Sequence, residues 1–246
     1  MIASLLKPLV DGLIAVVLAP HCLSCQLPLD EPTSGPVCAR CWASIPTFTP
    51  PLCARCGDPL ASWRTISLDA GRCPRCRRTD SAIAVSRAVG PYAGSLREIV
   101  HALKYGGCRS LAAPLASRMR ASGADVLAAA DVVVAVPLHR RRRRLRGFNQ
   151  ADEIAAHLGV RVAPVLRRIR ATPSQTDLPA ARRHANMRGA FALRRGSSVG
   201  GLRIVLVDDV CTTGATLEAC ARVLRDAGAA EISALTAARV SSRPIE

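Results

Sequence analysis

The sequence predicts an α/β fold with a parallel sheet, preceded by a small cysteine-rich module. Two observations lead to this expectation. Downstream of about residue 81, apolar runs typical of buried strands alternate with segments of helical periodicity. Upstream of it, eight of the eleven cysteines fall between residues 22 and 76 as Cys-x-x-Cys pairs. We therefore expect two domains, over residues 1–80 and 81–246.

The N-terminal segment MIASLLKPLVDGLIAVVLAP is apolar with helical spacing. The residues that repeat at this spacing are Leu5, Leu6, Leu9, Leu13, Val16 and Val17. No apolar run in the chain reaches the ~18 residues of a membrane span. Pro20 directly after Ala19 is a poor context for signal-peptide cleavage. We expect a packed amphipathic helix rather than an export signal, and therefore a protein of the reducing cytoplasm.

The four Cys-x-x-Cys pairs have the spacing of zinc ligands, with twelve residues between the first two pairs and sixteen between the last two. They are Cys22/Cys25, Cys38/Cys41, Cys53/Cys56 and Cys73/Cys76. Two such turns complete a tetrahedron of thiolates around Zn²⁺, and four thiolates leave no open position for catalysis. We expect two structural zinc ions. Sequential pairing of the four turns gives two ribbons, and crossed pairing is left open.

The α/β part is read from strand-like and helix-like segments in alternation. The expected strands are AIAVSRAVGPYAG (82–94, a strand or a hairpin), DVVVAVPLH (131–139), LRIVLVDD (202–209) and EISALTAAR (231–239). The expected helices are SLREIVHALKYGG (95–107), NQADEIAAHLG (149–159) and TLEACARVLRDAG (216–228). Ligands of such sheets bind at the carboxyl ends of the strands.

Asp208 and Asp209 stand at one such end, in the stretch VLVDDVCTTGATLEAC (205–220). The loop after them leads into a helix N-terminus, whose unpaired N–H groups and dipole favour an anion. Gly214 allows close backbone approach, and the threonine hydroxyls add donors. Carboxylates beside an anion cradle suit a ligand that carries both hydroxyls and a phosphate, such as ribose 5-phosphate.

This stretch closely resembles the phosphoribosyl-pyrophosphate (PRPP) motif of type I phosphoribosyltransferases. The matching residues are Asp208, Asp209, Cys211, Thr212, Thr213, Gly214, Ala215 and Thr216, with Cys211 standing where a larger aliphatic residue is expected. With the cysteine pairs, KYGG (104–107), VPLH (136–139), RGFNQ (146–150) and SQTDLPAARRHANMRGAF (174–191), nearly the whole chain resembles the ComF family. The resemblance implies a double zinc ribbon before a type I phosphoribosyltransferase domain, and a link to competence, the uptake of DNA.

The mechanism implied by the resemblance is binding of PRPP with Mg²⁺ and departure of pyrophosphate from C1. Asp208 and Asp209 would act as catalytic carboxylates that stabilise the positive charge. The acceptor is undefined, and no general base stands out. The motifs supply further candidates. Arg146 and Gly147 are expected at the diphosphate, and Lys104 and Tyr105 at the diphosphate or in contacts of the hood. His139, Arg183 and Asn186 also lie in the motifs, without a firm role.

The basic run of residues 140–147 is expected to be a mobile loop that closes over the diphosphate. Arginine also dominates the charge, since Lys+Arg number 34 against 18 Asp+Glu, for a formal net charge of +16. Residues 1–80 carry only eight basic and six acidic residues, so an anion should be met in the second domain.

Two other functions compete with phosphoribosyl transfer: a non-catalytic competence factor that binds single-stranded DNA or a helicase, and a PRPP sensor without turnover. Arginine richness fits DNA binding, but an aromatic content of 3% leaves few rings for base stacking. Two zinc ions offset only half the charge of eight thiolates, so the cysteine module is net negative and a weak phosphate-backbone binder. A homo-oligomer is left open.

Overall fold

The computed structural model of the chain describes residues 2–61, 71–170, 187 and 189–241. Its helices are α1 (Ile2–Leu18), α2 (Ala39–Ala43), α3 (Pro74–Arg78), α4 (Gly94–Tyr105), α5 (Ala112–Ser122), α6 (Ala124–Ala128), α7 (Arg140–Arg146), α8 (Gln150–Ala155) and α9 (Ala215–Asp226). Its strands are β1 (Ser86–Pro91), β2 (Val132–Ala135), β3 (Leu166–Arg168), β4 (Phe191–Leu193), β5 (Arg203–Cys211) and β6 (Glu231–Arg239).

A four-stranded sheet in the order β1-β6-β5-β2 forms the centre, and all its neighbouring strands are parallel. Alternate side chains of β5 and β6 point to opposite faces. Those of Val205, Val207 and Leu235 pack with α4, α5 and α8, whereas those of Leu206 and Ala234 pack with α9 and the antiparallel β3–β4 pair. Both faces are thus covered, which is why these strands read as continuous apolar runs. The predicted α/β fold with a parallel sheet is confirmed.

Helix α4 has the predicted buried face of Leu96, Ile99, Val100 and Leu103 and ends at the C-cap Gly106. Helix α8 begins as predicted, because the side chain of Asn149 accepts a hydrogen bond from the Ala151 N–H. It ends at Ala155, four residues before the predicted end at Gly159. Helix ends are the least certain part of such a prediction. The Ala156 N–H still bonds four positions back, to Asp152, but those of His157 and Leu158 bond three positions back, so the chain tightens there into a turn.

The expectation of a loop at residues 140–147 is wrong, because Arg140–Arg146 forms the helix α7. His139 caps its start by accepting a hydrogen bond from the Arg141 N–H at 3.3 Å. Gly147 ends it in the left-handed region, with φ of 76°. Arginine is a good helix former, and cations in a last turn favour the helix dipole, so these two caps suffice to make the run helical.

The expected N-terminal helix forms as α1, but the expectation that it packs through its apolar side is wrong. The exposed large apolar side chains on it are Leu6, Leu9, Val10, Leu13, Val16, Val17 and Leu18. The docked side is polar, since the buried carboxylate of Asp11 accepts hydrogen bonds from the N–H and hydroxyl of Thr33. Within the described residues, no helix has both the length and the apolarity needed to cross a bilayer.

The cysteine-rich module consists of two similar units that rest on different parts of the α/β domain. Both repeat one turn, in which Cys22 N–H bonds the Leu27 carbonyl and Cys53 N–H bonds the Asp58 carbonyl, each at 2.8 Å. Apolar residues of the first unit belong to the main core; they are Cys22, Leu29, Val37, Cys41 and Ile45. Among its described residues, the second unit has a small core of its own, formed by Cys53, Leu60 and Cys73.

Candidate functional site

The acid pair lies near the carboxyl end of β5, and the two carboxylates occupy opposite faces of the sheet. Asp209 shares the face of Val207, where Lys104 of α4 and Gln150 of α8 reach it. Lys104 Nζ and Gln150 Nε2 both lie 3.0 Å from Asp209 Oδ2. Asp208 lies two residues after Leu206 along β5, so it shares the other face of the sheet with Leu206, where it is half-buried. One short backbone segment therefore presents a paired carboxylate on one side and a more open one on the other.

Asp209 and Lys104 hold each other in their charged forms. Burial raises the pKa of Asp209, but Lys104 and the Gln150 amide outweigh it and lower that pKa below its ordinary value. Burial lowers the pKa of Lys104, but the two aspartates outweigh it and raise that pKa. The pair is therefore a fixed charge pair at neutral pH.

Asp208 behaves differently, because burial and then the charge of Asp209 raise its pKa to about 8. One of its oxygens, Oδ1, accepts a hydrogen bond from the Asp209 N–H at 2.9 Å. Its cross-strand neighbour is Thr236, whose fully buried Oγ1 has no hydrogen-bond partner among the described residues. A carboxyl group with this pKa can change its protonation state near neutral pH when a cation or a hydroxyl arrives.

The loop after the acids joins β5 to the N-terminus of α9. Gly214 precedes the helix in the left-handed region, with φ of 79°, which glycine adopts without strain. The Ala215 N–H donates to Thr213 Oγ1 at 3.4 Å, so this hydroxyl satisfies the N–H of the first helical residue. Thr212 and Thr216 are half-buried in the same turn, and Cys211 is buried behind it. The segment predicted to hold a phosphate is thus a compact turn at the start of a twelve-residue helix.

The cationic candidates gather on the other side of the acid pair. The Arg146 guanidinium lies over the ring of Tyr105, 4.8 Å from its centroid, so the end of α7 contacts the residue next to Lys104. Gly147 follows directly as the C-cap of α7. His139 serves as the N-cap of α7 rather than as a free side chain. Arg183 and Asn186 lie outside the described residues.

The two cysteine clusters have the composition and geometry of structural zinc sites. They pair sequentially, Cys22, Cys25, Cys38 and Cys41 in one and Cys53, Cys56, Cys73 and Cys76 in the other, with all ligand atoms of a cluster within 4.8 Å of one another. The crossed pairing left open by the sequence is thereby excluded.

The environment of the sulfurs also suits a metal. Backbone N–H groups of Cys38 and Cys73 lie 3.4 and 3.3 Å from the sulfurs of Cys22 and Cys53. Burial raises the pKa of Cys22, but N–H donors outweigh it and lower that pKa to about 6. The Cys56 thiol, against burial, lowers the pKa of Cys53 to about 4. Each cluster thus starts from a ready thiolate, and the fit to two structural zinc ions is good.

The remaining thiols lie apart from these clusters. Cys211 and Cys220 are buried and Cys108 is half-buried. Burial raises the pKa of both Cys211 and Cys220. A thiol with a raised pKa is a poor nucleophile, which agrees with the small packing role expected for these residues.

Comparison of the sequence with known proteins shows the family to which this chain belongs. A model described as a double zinc ribbon domain matches residues 13–77, and one described as a phosphoribosyl transferase domain matches residues 144–246. "DNA utilization protein YhgH" of Salmonella typhimurium is 35% identical over 225 residues, covering 86% of this chain and 93% of that protein. The chain belongs to the ComF family.

Two more distant relatives also match this chain over most of their length. "Competence protein F" of Haemophilus influenzae is 29% identical over 230 residues, covering 89% of this chain and 96% of that protein. "Competence protein ComFC" of Bacillus subtilis is 28% identical over 206 residues, covering 82% of this chain and 84% of that protein. The chain thus spans nearly the full length of its ComF-family relatives.

The motifs that carry the ComF resemblance converge on the acid pair. KYGG supplies Lys104, and RGFNQ supplies Gln150. VPLH is tied to RGFNQ because Asn149 Nδ2 donates to the Val136 carbonyl at 3.1 Å. Most of the fourth motif, residues 174–191, lies outside the described residues. In this ComF-family chain, three segments distant in sequence therefore build one site around Asp209.

Sequence reasoning missed two members of this site. Gln150 belongs to the RGFNQ motif, but nothing in the sequence indicates that its amide donates to Asp209. Thr236 sits inside an apolar strand and carries no motif, so only the register between β5 and β6 places it beside Asp208. The helix-opening Asn149 directly before Gln150 was the one available signal, because an N-cap fixes which side chains of the first turn face inward.

Proposed function

We propose that this ComF-family protein binds PRPP with Mg²⁺ and transfers its 5-phosphoribosyl group to an acceptor. The observation that carries the proposal is the acid pair of Asp208 and Asp209 beside the turn of Thr212–Gly214 at the N-terminus of α9. That turn suits a 5-phosphate, because helix N-termini offer N–H donors and a favourable dipole. The carboxylates then stand where the ribose hydroxyls would lie.

The two carboxylates have unequal parts in this proposal. Asp209 is held by Lys104 and Gln150, so it keeps a fixed negative charge near the ribose and orients Lys104. Asp208 is the more open acid and accepts from a hydroxyl. Its pKa, raised to about 8, also makes it the described group best suited to take a proton from an acceptor once it is ionised. The fixed charge of Asp209, joined by that of Asp208 once this carboxyl is ionised, stabilises the cationic character that develops at C1.

The diphosphate leaves on the side of Lys104 and Arg146. Lys104 is positioned by its ion pair, and Arg146 is positioned by stacking on Tyr105. Guanidinium groups match phosphate oxygens well, so Arg146 is the natural partner of the terminal phosphate. Mg²⁺ bound to the diphosphate would offset the charge that the leaving group acquires. Gly147 allows the backbone after α7 to adjust as the ligand binds.

The test is calorimetric titration of the zinc-loaded protein with PRPP and Mg²⁺, followed by measurement of pyrophosphate release across a panel of bases and amines. The variant that combines Asp208→Asn with Asp209→Asn should lose PRPP binding while it stays folded. Asp226→Asn, an exposed acid at the end of α9, is the matched control for the charge change and should bind normally. Unchanged affinity in the double variant would disprove the assignment of the ribose hydroxyls.

Binding without pyrophosphate release in the presence of every acceptor would instead favour a PRPP sensor. The family also has a DNA connection in the names of its relatives, which include "Competence protein F" and "DNA utilization protein YhgH". We propose accordingly that the reaction or the sensing serves DNA uptake or use.

A non-catalytic role in single-stranded DNA binding is the second candidate, and α7 favours it. Four of its arginines, Arg140, Arg141, Arg143 and Arg144, are exposed. Binding through them should weaken steeply as salt rises, because phosphate contacts release counterions. A fluorescence anisotropy titration with a DNA oligomer at two salt concentrations, with and without PRPP and Mg²⁺, separates this role from PRPP binding.

We further propose that residues 1–80 and 81–246 are the two domains and that the protein works in the cytoplasm. All eleven cysteines are free thiols. Eight of them are needed as metal ligands, and a reducing compartment keeps them available. Fractionation of cells with an antibody against the chain tests the location.

A further inference from the structure

The second zinc-ribbon unit contacts the candidate phosphate turn directly. Arg75 lies on α3, between the ligands Cys73 and Cys76, and its Nη2 donates a hydrogen bond to the carbonyl oxygen of Thr213. The same Nη2 lies 3.6 Å from the position that a Cβ on Gly214 would take. A side chain from the metal-binding module therefore rests on the turn that follows the acid pair.

Several other contacts fix the second unit in this place. Asp58 and Arg239 form a buried ion pair with 3.6 Å between Oδ1 and Nε, which ties the unit to the end of β6. Glu218 of α9 accepts from the Ser81 hydroxyl at 2.6 Å, which ties the segment after α3 to the helix behind the turn. The Arg55 guanidinium donates to carbonyl groups of that same segment, including those of Thr79 and Ser81. Arg75 thus reaches the turn from a firmly docked base.

The orientation of one peptide group follows from the Arg75 contact. In a trans peptide the C=O and the next N–H point in opposite directions. Because the Thr213 carbonyl points at Arg75, the Gly214 N–H points away from the second unit. Gly214 tolerates φ of either sign, so this peptide could otherwise rotate at little cost. Arg75 therefore selects one of two orientations for a backbone donor in the turn.

Two candidate zinc ligands flank Arg75. Cys73 and Cys76 lie two positions before it and one after it, so the backbone of α3 follows the positions of two thiolates. Among the described residues of this unit, the buried apolar core consists of Cys53, Leu60 and Cys73, and two of these three are themselves ligands. The first unit is placed differently: Arg118 of α5 stacks on Trp42 at 4.7 Å, and Ser44 bonds Ser95 at the start of α4. Two of its four ligands, Cys22 and Cys41, belong to the main core.

We propose that Arg75 is a positioning residue for the phosphate turn, and that zinc in the second cluster, rather than in the first, sets the affinity for the 5-phosphate through it. This inference rests on the proposed function, because it assumes that the turn holds the 5-phosphate of PRPP. Arg75 acts on the ligand through the Thr213–Gly214 peptide. The double zinc ribbon is then part of the binding site as well as a separate folding unit.

The first experiment compares Arg75→Ala with Arg78→Ala, which removes the same charge from an exposed position on the same helix. Arg75→Ala should weaken ribose 5-phosphate and PRPP by a similar factor, about tenfold or more, as expected for a lost hydrogen bond to a charged donor. Its affinity for inorganic pyrophosphate should not change. Arg75→Lys, which keeps one donor, should restore part of the affinity. Equal affinities for ribose 5-phosphate in Arg75→Ala and the native protein would overturn the inference.

The second experiment removes one metal at a time. Cys76→Ser should lower ribose 5-phosphate affinity as much as Arg75→Ala does, and the two changes together should not add, since they act through one contact. Cys25→Ser, in the first cluster, should lose one zinc ion and keep its affinity. Equal losses from both cysteine variants would contradict the assignment to the second cluster. If Cys76→Ser fails to fold, the Arg75 variants decide.

Hydrogen exchange of the ligand-free protein separates this inference from the proposed function. Peptides that cover residues 211–216 should exchange faster in Arg75→Ala than in Arg78→Ala, because the freed peptide group samples both orientations. This result does not depend on PRPP being the ligand. Faster exchange in a protein that binds neither PRPP nor ribose 5-phosphate would show that the contact orders the turn but that the proposed function, and with it the phosphate role, is wrong. Unchanged exchange together with unchanged binding would refute the positioning role itself.

Discussion

Lys104 Nζ lies 3.0 Å from Asp209 Oδ2, in an ion pair between α4 and β5 whose side chains are 19% and 5% exposed. Replacement of Lys104 by Met would leave the Asp209 carboxylate buried beside Asp208 without a counter-charge. We expect this change to lower the free energy of unfolding by about 3 kcal/mol, the usual cost of breaking a buried pair. Urea denaturation at pH 7 measures it.

The double variant Lys104→Met with Asp209→Asn provides the control for that experiment. It removes both charges and should recover most of the lost stability, since no isolated carboxylate remains. If Lys104→Met alone costs less than about 0.5 kcal/mol, the pair behaves as an exposed one and the buried-pair argument fails.

The Asp208→Asn variant should change the pH dependence of stability. The pKa of Asp208 rises from its ordinary value of 3.8 to about 8 on folding, so the folded protein binds this proton more tightly than the unfolded chain. Its stabilising contribution is complete below about pH 4 and is lost as the pH rises to about 8. Relative to the native protein, the ligand-free variant should therefore gain stability across this interval, by ~1–3 kcal/mol at pH 8.

Thermal unfolding of both proteins between pH 5 and pH 9 checks this sign. A gap between variant and native protein that stays constant over this range would mean that Asp208 titrates normally. The Asp226→Asn protein, with an exposed acid replaced, is the control for the removal of one carboxylate.

Two zinc ions per chain should be found by metal analysis of reduced protein that has not met a chelator, one for each four-cysteine cluster. Cys53→Ser should bind one ion and lose the structure of the second unit, because two of the three buried core residues described in that unit, Cys53 and Cys73, are themselves ligands. The parallel sheet should remain, since its core is separate. Cys108→Ser, outside both clusters, should keep two ions; a native protein with one ion or none would contradict the two-ribbon structure.

The rate of trypsin cleavage should show whether α7 closes over the diphosphate. A seven-residue helix is short and opens readily, and the charges of its six arginines repel one another. PRPP with Mg²⁺ should slow cleavage at Arg140–Arg146 more than ribose 5-phosphate does, because only PRPP carries the diphosphate. Tyr105→Leu, which removes the ring under Arg146, should reduce that difference. Equal protection by the two ligands would assign α7 to another role.

The sequence predicted the parallel sheet and the zinc clusters because both leave strong local signals. Buried strands such as β5 are continuous apolar runs, and metal ligands recur at fixed spacing. The position of Lys104 was also expected near the diphosphate from its motif. Its pairing with Asp209 was not, because the contact joins elements about one hundred residues apart and depends on the packing of α4 against the sheet.

Both wrong predictions concern helices in which capping and buried polar contacts outweigh the charge or the apolar periodicity of the sequence. The charge of residues 140–147 predicts a loop, whereas His139 and Gly147 supply the caps that make it α7. The periodicity of α1 predicts a buried apolar stripe, whereas the buried polar residue Asp11 decides which side docks. Neither a cap geometry nor a single buried carboxylate can be read from periodicity. The contact of Arg75 with Thr213 joins residues 138 positions apart, so no local pattern indicates it.

The strands beside β5 differ in length, so the two halves of β5 differ in the number of neighbouring strands to which they are hydrogen-bonded. Strand β2 pairs with it only from Ile204 to Val207, and the Val136 N–H makes a last bond to the Val207 carbonyl. Beyond that point, among the described residues, β5 pairs with β6 on one edge only, as far as Cys211. The first half of β5 is hydrogen-bonded along both edges, whereas the second half, which carries both acids, is hydrogen-bonded along one. We therefore expect the backbone at the acids to adjust to a ligand at a lower cost in hydrogen bonds than the backbone of the first half.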